Sequence, residues 1–67
     1  MDYVVELPGR TIAVEVKWAD SPSLRDVTGL VSFLRDHPRV SEGFVICRAA
    51  RPLRLSASIV APPWHHL

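Results

Sequence analysis

The sequence predicts a mixed α/β fold, and three observations predict it. Two stretches rich in β-branched and aromatic residues flank a Pro-Gly pair. A window with apolar residues at helical spacing follows them. A short, nearly continuous apolar run comes after that window. The order is β-hairpin, helix, strand, with a possible last strand.

Residues 2–7 and 11–18 read as the two strands of the hairpin, joined through Leu7-Pro8-Gly9-Arg10. Pro-Gly favours a type II turn over the primed types that suit two-residue loops, which leaves a two- or a four-residue connection open. Residues 22–36 read as the helix, with Ser21 as N-cap and Pro22 at the tolerated first position. Leu24, Val27, Leu30, Val31 and Leu34 fall within an arc of about 120°. Phe33 lies off that stripe and meets a second surface. The helix stops near His37, because Pro38 pushes its predecessor out of the α region. A partly charged imidazole there also suits the helix dipole. Residues 43–48 form the apolar run, the pattern of a strand buried on both faces. Residues 53–61 form the possible last strand, ended by Pro62-Pro63. A strand, a helix and a following strand imply a crossover with a parallel pair.

Sixty-seven residues allow one domain, 1–67, and a chain this short buries only about 60% of its unfolded surface. Such scaffolds lean on disulfides, a metal or a partner chain. Cys47 is the only cysteine, which excludes an internal disulfide and fits a reducing, cytoplasmic setting. Its apolar surroundings make it a small buried side chain. Eight basic and seven acidic residues give a net charge of +1, too even to point to nucleic acid or membrane by bulk charge. No apolar run approaches the length of a membrane span.

The hairpin carries the chemistry. Side chains alternate along each strand, so Asp2, Val4 and Glu6 share a face, as do Thr11, Ala13, Glu15 and Lys17. A turn centred on Pro8-Gly9 sets Glu6 opposite Thr11, Val4 opposite Ala13, and Asp2 opposite Glu15. The two acids then stand with β-carbons roughly 5 Å apart. Lys17 lies about 7 Å further along the same face. Like charges directly opposite destabilise a sheet, and a divalent cation between them compensates. Oxygen-only ligation points to Mg²⁺ or Mn²⁺. A lysine beside such a cation serves an attacking water or a phosphate charge.

Asp2, then Glu15-Val16-Lys17 after a hairpin, resembles the D…ExK signature of the PD-(D/E)XK nuclease superfamily. Asp-Tyr-Val-Val-Glu-Leu, Ile-Ala-Val-Glu-Val-Lys and Ser-Leu…Gly-Leu…Phe-Leu together resemble the uncharacterised C-terminal domain of predicted bacterial and archaeal AAA+ ATPases. The resemblance covers nearly the whole chain. It implies a truncated restriction-endonuclease-like core, with Asp2, Glu15 and the Val16 carbonyl on a catalytic Mg²⁺ (or Mn²⁺) and Lys17 serving the water. It also implies Arg25 and Arg35 on a nucleic-acid backbone. The superfamily core starts with a helix and a strand before the first acid, whereas Asp2 directly follows Met1. The chain therefore reads as a partial domain, with an ATP-binding portion expected to precede it.

Several residues also carry plainer readings. Glu15-Val16-Lys17 on an alternating strand can be a solvated face with an ion pair. Glu6 and Thr11 read as an edge pair, His65 and His66 as a passive tail, and Trp18 and Trp64 as core or interface anchors. One helix covers only one face of the sheet, so the other is expected to associate, in a homodimer or with a missing partner domain. A non-catalytic oligomerisation or protein-interaction module is thus the rival to the nuclease reading.

Overall fold

A computed structural model describes residues 2–63. Strand β1 (Tyr3–Leu7) and strand β2 (Arg10–Val16) form the hairpin. A 3-10 turn (Leu24–Val27) leads into helix α1 (Thr28–Asp36), followed by β3 (Glu42–Ile46), β4 (Leu53–Arg54) and β5 (Ile59–Ala61). The five strands make one mixed sheet in the order β1-β2-β3-β5-β4. β2, β3 and β5 run parallel, and β1 and β4 run antiparallel to their neighbours. The fold is mixed α/β.

The hairpin register is the one that alternation dictates: Glu6 pairs with Thr11 and Val4 with Ala13. Pairing runs on to Leu7 and Arg10, so the connection is two residues long and not four. Gly9 sits at φ 83, the left-handed conformation that the third position of a type II turn requires and that glycine alone adopts cheaply.

The helix differs at its start. Residues 22–23 stay outside it and Ser23, not Ser21, is the N-cap, with extended backbone (φ −117, ψ 175). The Asp26 carboxylate accepts from the Ser23 amide at 2.9 Å and from its hydroxyl at 3.3 Å. The first turn winds at three residues per turn, which rotates Leu24 off the apolar stripe and leaves it exposed. Val27 and Leu30 are fully buried, and Val31, Phe33 and Leu34 pack against the core. Phe33 also stacks on His37, whose ring centroid is 4.1 Å away. The His37 Nδ1 lies 2.9 Å from the Phe33 carbonyl, at the end of the helix.

The segment 53–61 is two strands and not one. Ser56-Ala57-Ser58 turns the chain, since both the Leu55 and Ser56 amides donate to the Ile59 carbonyl, at 2.9 and 3.2 Å. Arg54 clamps the turn through the Ser56 and Ala57 carbonyls, at 3.2 and 3.1 Å. Short polar residues favour such turns over strand.

Val4, Ala13, Gly43 and Ile59 form one row across the sheet. A β-carbon on Gly43 would lie 2.9 Å from Leu34 Cδ1 and 3.2 Å from Leu30, so this row faces α1. Val45, Cys47, Ile59 and Ala61 complete the buried side. The opposite face carries Tyr3, Val14, Phe44 and Val60 in one row and Val16 beside Ile46 in another. β3 is therefore buried on one side and only half-buried on the other. Its apolar run reflects an apolar but uncovered second face. No helix among the described residues is long and apolar enough to cross a membrane.

Candidate functional site

The hairpin delivers Asp2 to the end of β2. Its amide donates to the Val14 carbonyl at 3.3 Å, and its Oδ2 accepts the Val16 amide at 2.7 Å. The carboxylate thereby extends the β1–β2 ladder by one rung beyond the last paired residues, Tyr3 and Val14. The strand pairing itself ends at Tyr3 and Val14, and the Asp2 carboxylate is engaged by the Val16 backbone amide. Glu15 pairs laterally with Val45 on the helix side of the sheet. It is half-buried, and its Oε1 is shielded from solvent.

Lys17 follows directly, with its amide donating to the Ile46 carbonyl at 2.8 Å. Its side chain is exposed and lies within electrostatic reach of Asp26. The Asp26 carboxyl is held below its ordinary value, first by the Ser23 amide. The Ser23 hydroxyl and the charges of Lys17 and Arg25 act the same way, and desolvation opposes them. Asp26 was not among the residues the sequence pattern singled out. The signal was present as Ser23-x-x-Asp26, a variant of the capping box.

α1 joins two parallel strands, so its start lies at the carboxyl end of β2 and its finish at the amino end of β3. Arg25, in the first turn, therefore shares the end of the molecule that holds Glu15 and Lys17. Arg35 sits in the last turn, roughly 15 Å along the helix at 1.5 Å per residue, beside Asp36 at 3.5 Å. Arg25 and Arg35 therefore stand at opposite ends of the helical segment.

Trp18 is 74% exposed and is no core anchor. Cys47 is fully buried, as its apolar surroundings require. Trp64, His65 and His66 lie outside the described residues.

Among the described residues, no three His, Cys, Asp or Glu side chains gather as a metal-holding group. The donor set is two carboxylates and a strand-end carbonyl. That set fits a hard cation such as Mg²⁺, which keeps much of its water and takes one or two carboxylates from protein.

A family model described as a domain of unknown function, DUF4143, matches residues 1–67. The chain belongs to this family. No curated protein and no solved structure matches the DUF4143 chain. The activity of this DUF4143 domain has to be argued from its own residues.

Proposed function

We propose that this domain is a nuclease-like module, the C-terminal part of an ATPase, with a metal-dependent phosphodiesterase site at Asp2, Glu15 and Lys17. One observation carries the reading. The 2.7 Å bond from the Val16 amide to Asp2 ties the first acid to the end of β2, next in sequence to Glu15. Asp2 and Glu15 would hold Mg²⁺ or Mn²⁺, with the Val16 carbonyl as a further donor. The cation would polarise a phosphodiester and lower the pKa of bound water. Lys17, exposed on the next residue, is free to reach a phosphate oxygen. Its pairing with Asp26 is of the long-range, solvent-screened kind, which a phosphate competes with easily. The buried Cys47 is consistent with a cytoplasmic setting.

The test is a titration with Mg²⁺ and then Mn²⁺, followed by amide NMR, on the wild type and on Glu15→Ala. The expected result is saturable shifts at Asp2 and residues 15–17, absent in the variant. Millimolar metal that moves no amide at that end of β2 would remove the catalytic reading.

The uncovered apolar face supports a second reading, a module that associates through its sheet. Arg10, Ile12, Val14, Phe44, Ile46 and Pro62 line a groove of 260 Å³ on it. Tyr3 and Leu7 stand exposed on the edge strand β1. The occupant we favour is a second copy, giving a homodimer.

A further inference from the structure

The carboxyl ends of β2, β3 and β5 all open at one end of the sheet. In open α/β sheets that end is where ligands settle, because the loops leaving neighbouring strands diverge there. Here residues 17–23 leave β2 toward the helix. Residues 47–52 leave β3 and cross the end of β5 to reach β4 at the far edge. Between the two loops lies a cleft of 510 Å³, lined by Asp20, Ser21, Arg48, Ala49, Arg51 and Leu53.

The cleft is held open by specific bonds. The Arg48 amide donates to the Ala19 carbonyl at 3.0 Å, which ties one loop to the other. The Arg48 guanidinium pairs with Asp20 at 3.4 Å. Both side chains are more than half exposed, and the pair offsets the charge of the one acid in the lining. Arg51 is exposed and has no acid partner among the described residues. The lining therefore carries one net positive charge, a second guanidinium, and the Ser21 hydroxyl. Guanidinium forks match the geometry of phosphate oxygens and bind them through paired hydrogen bonds. Ala49 and Ala50, which separate the two arginines in sequence, add only small side chains to the lining.

We infer that this cleft binds a phosphate group, with Arg51 as the main anchor, Arg48 as its neighbour and Ser21 as a hydroxyl donor. The inference stands apart from the metal site, since none of its residues belongs to that site. The phosphate can come from a small phosphate ester or from the diester backbone of a nucleic-acid strand.

The experiment is amide NMR on the 67-residue chain in EDTA, so that no divalent metal contributes. The probes are inorganic phosphate, a nucleoside 5′-monophosphate and a dinucleotide with an internal diester. Saturable shifts at Ser21 and residues 48–51 are expected. Arg51→Ala should weaken them at least about tenfold, the loss of a hydrogen bond to a charged group. Arg51→Lys, which keeps the charge and loses the fork, should fall between. Arg39→Ala, an exposed arginine at the other end of β3, should leave the affinity unchanged. Binding of the monoester alone supports the cleft and assigns it to small phosphate compounds. Binding of the dinucleotide as well supports it and assigns it to a strand. Non-saturating shifts with every probe, or equal losses in the Arg39 and Arg51 variants, would overturn it.

Discussion

Asp26 shows how a single side chain ties the helix start to the candidate site. Its carboxylate accepts the Ser23 amide and hydroxyl, and it feels Lys17 and Arg25. These interactions favour the charged form, so the folded-state pKa lies below the unfolded one. The carboxylate therefore contributes stability that is fully present above the unfolded pKa and is lost as pH falls through the folded value. The expected outcome is a stability gap between wild type and Asp26→Asn that is widest near neutral pH and closes as pH falls through the carboxylate range, from about pH 5 downward. Urea unfolding across that range measures it. A gap that stays constant with pH would show that the amide of asparagine replaces the carboxylate fully and that its charge is immaterial. Asp26 faces solvent, so added salt should narrow the neutral-pH gap.

At the scale of elements, the hairpin was the most legible part of the chain. Strand alternation and the Pro8-Gly9 turn fix which residues oppose each other, and a slip of one residue would turn every side chain to the wrong face. That is why the pairing of Glu6 with Thr11 and of Val4 with Ala13 could be read from the residues alone. The helix start was less legible, because Ser21-Pro22 and Ser23 both offer a cap. The choice fell to Asp26, which can reach back three residues only to Ser23. The split of 53–61 into β4 and β5 was hidden because Leu53, Leu55, Ile59 and Val60 look like one apolar stretch. The arginine cleft was invisible for another reason: Arg48 and Asp20 meet only through the crossover that brings their loops together. Gly43 belongs to the same class, since only the path of α1 over β3 explains it. A side chain there would press on Leu34 and on the fully buried Leu30. Glycine is otherwise unfavourable within a strand, so substitution would stabilise if the helix stood off. We expect Gly43→Ala to cost about 1 kcal/mol and Gly43→Val about 3 kcal/mol, the range for overpacking. The check is the midpoint of urea unfolding at unchanged slope. An alanine variant as stable as wild type would mean that α1 does not press on the sheet at this point.

The whole molecule is a single helix on one side of a five-stranded sheet, and its other side has no cover among the described residues. There Val14 is buried and Ile12, Phe44, Ile46 and Val60 are half-buried, although no helix among the described residues packs on that side. Edge strands are normally blunted by charge, yet β1 offers Tyr3, Val4, Val5 and Leu7 with Glu6 as its one charged residue. A stable contact between copies needs about 800 Å² from each partner, a large share of the 4621 Å² surface of so small a chain. Only a broad face can supply it, and the open side of the sheet is the broad apolar one. Two copies meeting across that face would bury both sets of side chains at once, and Arg10 with Glu42, paired at 2.9 Å, would lie at its rim. The expected outcome is a sedimenting mass near twice 7.5 kDa that falls to 7.5 kDa in Val5→Lys, with the circular dichroism spectrum unchanged. Val5 is already more than one-third exposed, so lysine there can send its charge to solvent in the monomer and loses that freedom only in the dimer. A wild type that sediments at 7.5 kDa at high micromolar concentration would end the homodimer reading and leave the open face to a different chain. Loss of Mg²⁺ binding in Glu15→Ala with the dimer intact would place the two properties on opposite sides of the sheet, as the alternation of β2 requires.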